Sequence, residues 1–181
     1  MKAVLCTKCG PPEVLQIKEI PKPEPKRDEV CIKIKATAVN SADIRVRKFD
    51  VPKSFWLPAR FALGLFRPKY QILGIVSSGI IESVGADVKG FKPGDEVFAT
   101  SDFERWGAYA EYLCLKETGA ITLKPENMTH EEAASIIFGG LTDIEFLGRA
   151  GLKKDKKSLS MGHQVVWEQR RFSSPSILVP K

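Results

Sequence analysis

Residues 72–100, "ILGIVSSGIIESVGADVKGFKPGDEVFAT", constrain the fold more than any other stretch of the chain. Runs rich in Ile, Val and small residues stand on either side of a glycine-bearing turn and of Pro93-Gly94-Asp95. Glycine reaches φ values that tight turns require and proline presets another, so this punctuation predicts two compact strands joined by turns. The same pattern recurs along the chain. "MKAVLCTKCG" predicts an opening strand that ends at Gly10-Pro11-Pro12, and "VLQIKEI" predicts a second strand before a Pro-rich link of limited flexibility. In the next strand Val30, Ile32, Ile34 and Ala36 alternate with Cys31, Lys33 and Lys35, as in a sheet with one face partly open to water. "WGAYAEYLCLK" adds another alternating strand. Many short strands with such turns favour a small barrel or sandwich.

Helical signals interrupt this pattern in three places. In "NSADIRVRKF", Asn40 or Ser41 can cap a short helix and Asp43 suits its first turn. Residues 51–70, "VPKSFWLPARFALGLFRPKY", are apolar but split by Pro52, Pro58, Gly64 and Pro68. They read as an apolar loop or short helix over the core, or as a pocket wall or dimer surface. From residue 125 the period changes: Thr129 and Glu132 form a capping-box pattern, followed by Ala133, Ala134, Ile137 and Phe138 at helical spacing. A second helix is predicted through Ile144, Leu147 and Gly148, with Gly151 ending it.

Charge and cysteine content exclude several functions. Lys plus Arg outnumber Asp plus Glu by 28 to 22 in 181 residues, but the excess is spread out apart from "GLKKDKK" at 151–157. No concentrated basic face points to nucleic acid. Neither a secretory leader pattern nor an apolar run of about 18 residues is present, so the expectation is a soluble cytoplasmic protein with no membrane span. Of the four cysteines only Cys6 and Cys9 have ligand-like spacing, and His130 and His163 are the only histidines, which provisions a metal site poorly. Cys31 and Cys114 fall in alternating strands, where small thiols are ordinary core residues.

The opening "MKAV", then "GPPEVL", "AVNSAD", "ILGIVSSGIIESVGADVKGFKPGDEVF", "WGAYAEY" and "GGLT", taken in this order, resemble the medium-chain dehydrogenase/reductase superfamily, specifically its zinc-independent quinone oxidoreductase-like branch. The resemblance covers most of residues 1–150. It implies a mainly β fold with short helices: a GroES-like, partly open β-barrel plus an incomplete Rossmann-domain edge. The implied division is a GroES-like domain at 1–125, the helical start of a nucleotide-binding domain at 126–157, and a tail at 158–181. The implied activity is hydride transfer from NADP(H) or NAD(H) to a quinone or α,β-unsaturated carbonyl in the intact enzyme, with a homodimer as one possible assembly.

The same resemblance places Asn40, Ile75 and Val76 where zinc-dependent relatives carry Cys and a His-Glu pair. It implies no zinc. Asn40 is the implied residue beside the nicotinamide or substrate, with helix capping as its other role. Asp43 would orient the active-site backbone or cap the first turn, and Thr142 would lie near the cofactor or cap a helix locally. The chain departs from its relatives at Phe49 and Val51, where a pattern resembling R-x-G-x-Y is common, and at Asp143 and Glu145 after "GGLT".

Beyond "GLKK" the family continues with a strand, a glycine-rich turn and a helix that receives the pyrophosphate. Here only Gly162 follows Gly151, which cannot form that turn. Codon arithmetic supplies a reason. Read from the third base of each codon, the Met161–Gly162 and Trp167–Glu168 junctions force glycine, and the Gln164–Val165 junction allows only Ser or Gly. GxxGxxG is thus available in the shifted frame. The expectation is a frame slip near Lys157, against the alternative of a genuine different tail. On that reading the 181-residue chain binds no nicotinamide and is inactive, or serves as a noncatalytic scaffold or protein-interaction module.

Overall fold

The computed structural model describes residues 1–64, 68–101 and 106–149, and the expectations for the glycine-rich turn and the tail lie outside them. Two compact units divide at Phe138/Gly139. In the first unit, β1 (Lys2–Cys6) and β2 (Leu15–Glu19) pair antiparallel around the predicted Gly10-Pro11-Pro12 turn. The larger sheet contains β3 (Glu29–Thr37), β4 (Val76–Val84), β5 (Glu96–Thr100), β6 (Tyr112–Lys116) and β7 (Ile121–Leu123). Its order is β6-β3-β4-β5-β7, with neighbours antiparallel.

This sheet has two edges, β6 and β7, so the expected barrel is corrected to an open sheet. The reason lies in the strand lengths. Central β3 and β4 have nine residues each, whereas β7 has three and offers too short a ladder to carry closure. Isolated bridges Ala3–Ala110 and Leu5–Ile72 tie β1 to neighbouring loops instead.

Val30, Ile32, Ile81, Val97, Leu113 and Leu115 pack into one core on the predicted inward face. Cys31, on the other face, is also fully buried. The Pro-rich link covers it: its sulfur lies 3.9 Å from the Pro23 carbonyl, while Lys33 and Lys35 farther along remain exposed. Gly79 permits the close approach of β3 and β4, since a Cβ there would sit 2.2 Å from the Lys33 carbonyl oxygen.

Two α-helices interrupt the strands: α1 (Ser41–Lys48) and α2 (Trp56–Leu63). The third, α3 (His130–Arg149), begins at the predicted capping box. Thr129 Oγ1 accepts from the Glu132 N–H at 3.2 Å, and Glu132 Oε2 accepts from the Thr129 N–H at 2.9 Å. Where two helices were expected, α3 runs unbroken for 20 residues through Gly139-Gly140. Each glycine weakens a helix by about 1 kcal/mol relative to Ala without necessarily ending it. Helix and strand shares are therefore roughly balanced among the described residues, correcting a mainly β fold with short helices to a mixed one.

Candidate functional site

The site grows from the start of α1. Asn40 has extended backbone and is the N-cap, which settles the choice between it and Ser41. Its Oδ1 accepts from the N–H groups of Ala42 at 2.9 Å and Asp43 at 3.2 Å. Asp43 answers: its Oδ2 accepts from the Asn40 N–H at 3.1 Å, and its Oδ1 from the Gly74 N–H at 3.1 Å. These bonds fix the amide orientation, because the atom facing two backbone donors must be oxygen. The consequence is a buried Asn40 Nδ2 with no hydrogen-bond partner among the described residues. Such donors are uncommon in folded proteins and call for a specific explanation.

Asp43 is itself only 2% exposed. Burial pushes its carboxyl above the ordinary range, opposed by the Asn40 N–H, the neighbouring Tyr109 hydroxyl and the Gly74 N–H. The buried Tyr109 hydroxyl lies beside Asp43, and burial followed by the carboxylate's charge pushes it upward, although no hydrogen bond of normal geometry joins them. Gly74 makes the arrangement possible. Its φ is +91°, and a Cβ would lie 2.6 Å from the Tyr109 ring. Trp106 carries another buried donor, Nε1, without a partner among the described residues, and stacks on Tyr70 at 5.9 Å. Both rings belong to a second core with Cys6, Leu73, Ile75, Val76 and Tyr109.

Ile75 and Val76 are core residues there, 6% and 1% exposed. Among the described residues no group of three or more His, Cys, Asp or Glu side chains could hold a metal ion. Thr142 lies inside α3, in the second unit, so the local-cap alternative is corrected; it is half-buried and engaged in an interaction. Glu145 is exposed and pairs with Arg149 at 2.5 Å.

Sequence reasoning missed three parts of the site. Arg47, 7% exposed, donates from Nη1 to the Gly10 carbonyl at 2.6 Å, while Gly10 N–H donates to the Arg47 carbonyl at 2.9 Å. That brace ties α1 to the turn after β1. Gly74 and Tyr109 were the other omissions. A further cluster resembles a hydrolytic relay but cannot act as one. Ser78 Oγ is 2.8 Å from His130 Nδ1, whose other ring nitrogen is 3.6 Å from Glu96. Ser78 is fully buried and donates to the Val97 carbonyl at 3.0 Å, so it accepts from the imidazole and anchors α3 to the sheet.

A family model described as the alcohol dehydrogenase GroES-like domain matches residues 26–126. The chain is 33% identical over 171 residues to 2-methylene-furan-3-one reductase of Solanum lycopersicum, covering 90% of this chain and 40% of that protein. The fold is similar to a quinone oxidoreductase from Coxiella burnetii, with TM-score 0.71, 29% identity, and coverage of 86% of this chain and 46% of that one. It is also similar to an Escherichia coli quinone oxidoreductase complexed with NADPH: TM-score 0.67, 26% identity, 83% of this chain and 41% of that one. The chain spans less than half the length of each of these proteins.

Proposed function

Because the chain belongs to the alcohol dehydrogenase GroES-like domain family, we propose that it is the acceptor-binding part of an NAD(P)H-dependent oxidoreductase acting on quinones or α,β-unsaturated carbonyls without zinc. One observation carries this reading: the buried Asn40 Nδ2 has no partner among the described residues. An amide donor suits a carbonyl oxygen, whether on the acceptor or on a nicotinamide carboxamide, and it needs no change of protonation. The names of the similar proteins support the substrate class, since 2-methylene-furan-3-one describes a methylene conjugated with a ring ketone.

When bound, NAD(P)H supplies the hydride. The chain's contribution is orientation and charge stabilisation. Asn40 Oδ1 is locked by Ala42 and Asp43, so Nδ2 is held in place before the acceptor arrives. A preset donor strengthens its bond as charge develops on the carbonyl oxygen, and loss of such a donor lowers kcat about 100-fold to 1,000-fold. Asp43 acts through Asn40 and the Gly74 backbone, as a positioning residue. The nicotinamide's phosphates would need a glycine-rich cradle, which residues 158–181 do not spell. We therefore assign acceptor binding, but no useful nicotinamide affinity, to the 181-residue chain. Residues 1–125 remain the proposed GroES-like domain, and 126–157 the start of the nucleotide-binding domain, with Thr142 as its candidate cofactor contact.

Titration with duroquinone, whose ring positions are blocked against thiol addition, tests the acceptor reading. The Asn40 side-chain amide resonances should shift saturably, and Asn40→Ala should weaken binding at least about tenfold. Shifts confined to residues remote from Asn40, or affinity unchanged by the substitution, would overturn it. The exposed Trp56, Leu57 and Phe61 of α2 favour a second reading, a noncatalytic interaction module or homodimer. A discrete dimer or complex in size-exclusion chromatography, lost on Phe61→Glu, would support it.

A further inference from the structure

Cys31 and Cys114 are directly opposite each other on β3 and β6. Their phase in the ladder follows from two bonds at its ends. Glu117 N–H donates to the Asp28 carbonyl, and Ile34 N–H donates to the Glu111 carbonyl, each at 2.9 Å. Both are paired positions three residues from the cysteines, and hydrogen-bonded and non-hydrogen-bonded pairs alternate along an antiparallel ladder. Cys31–Cys114 is therefore a non-hydrogen-bonded pair, in which opposing Cα atoms approach to about 4.5 Å, within the range a disulfide can bridge. Both sulfurs are free thiols.

Their surroundings differ. Cys31 is fully buried under Pro23, whereas Cys114 is half-buried on edge strand β6. Lys22 holds an ammonium group over the Tyr112 ring at 4.2 Å and pairs with Glu82. The Cys114 thiol, and then Lys22, bring the Cys31 thiol down to about 7 against the opposing effect of burial; Cys114 is pushed upward by the same contact. The two thiols are thus coupled, and these titrations belong to the pair.

We propose that Cys31 and Cys114 are a redox-active dithiol that a peroxide converts into a cross-strand disulfide. Once the pair has lost one proton, passage of the remaining proton to Cys31 leaves a thiolate on Cys114, the partly exposed cysteine of the two. That sulfur attacks hydrogen peroxide: an S–O bond forms, the O–O bond breaks, and the departing hydroxide takes up a proton to become water. Cys31 then displaces the hydroxyl from the Cys114 sulfenic acid. The S–S bond forms, the S–O bond breaks, and the hydroxide leaves with the Cys31 proton as a second water. Two thiols are oxidised by two electrons and one peroxide is reduced. The product staples edge strand β6 to central β3.

Cys6 and Cys9 provide an internal comparison. Burial, then Cys9, push the Cys6 thiol upward, and its sulfur is 3.3 Å from the Lys8 carbonyl. That pair should oxidise later. Treatment of the reduced 181-residue chain with hydrogen peroxide should remove about 2 Da, and non-reducing peptide mapping should find Cys31 linked to Cys114, reversibly with dithiothreitol. In Cys31→Ser, dimedone should label Cys114 as trapped sulfenic acid; in Cys114→Ser, Cys31 should stay unlabelled. Absence of the Cys31–Cys114 link, prior formation of a Cys6–Cys9 link, or dimedone labelling of Cys31 in Cys114→Ser would overturn the proposal. Mapping of the unsubstituted chain keeps the test decisive even if a variant folds poorly.

Discussion

At Asp43, burial and capping act on one carboxyl. Its folded pKa is raised, chiefly by burial, so the folded state retains a proton that the unfolded chain has released. This contribution to stability is present below the unfolded value of 3.8 and is lost as pH rises through the higher folded value. Urea denaturation of the chain and of Asp43→Asn should show the stability of the parent falling relative to the variant as pH rises through that window. A constant difference would contradict the assignment. Gly79 tests the packing of β3 against β4: Gly79→Ala should destabilise by about 3 kcal/mol, because the opposing atom at 2.2 Å is backbone. A midpoint within experimental scatter of the parent would contradict it. Asn40, with Ser41 as its alternative, and Asp43 were legible as cap and first-turn residues because capping is local, linking residues three apart. Gly74, Tyr109 and the Arg47–Gly10 brace were not, since each contact joins positions separated by tens of residues in the chain.

Helix α1 ends in an unusual way. Phe49 adopts the left-handed conformation, with φ 56°, at a position where the family resemblance leads one to expect glycine. This costs a side chain roughly 1–2 kcal/mol. The ring offsets part of that penalty through an edge contact with Trp56 at 6.1 Å and through Arg60, 4.2 Å from its centroid. Phe49→Gly alone should therefore be nearly neutral, whereas the same change in a Trp56→Ala, Arg60→Ala background should stabilise by about 1 kcal/mol. Thermal unfolding of the four combinations measures the difference; equal effects in both backgrounds would contradict the compensation. The strands were legible from alternation and turn residues. Strand β7 was not, since three residues are too few for a period. The join across Gly139-Gly140 was misread because glycine weakens a helix without necessarily ending it.

Across the whole molecule, the sequence pattern identified a domain but overstated its closure. Cys114, the partly exposed member of the proposed dithiol, lies on edge strand β6. No helix among the described residues is long and apolar enough to cross a membrane. The central claim is that this chain carries the acceptor side of a reductase and lacks useful affinity for the nicotinamide. Titration of the purified chain with NADPH, monitored by calorimetry in the presence and absence of duroquinone, tests it most directly. The expected result is no saturable NADPH binding in the micromolar range, alongside duroquinone binding that depends on Asn40. Specific NADPH binding with a micromolar Kd would contradict the claim.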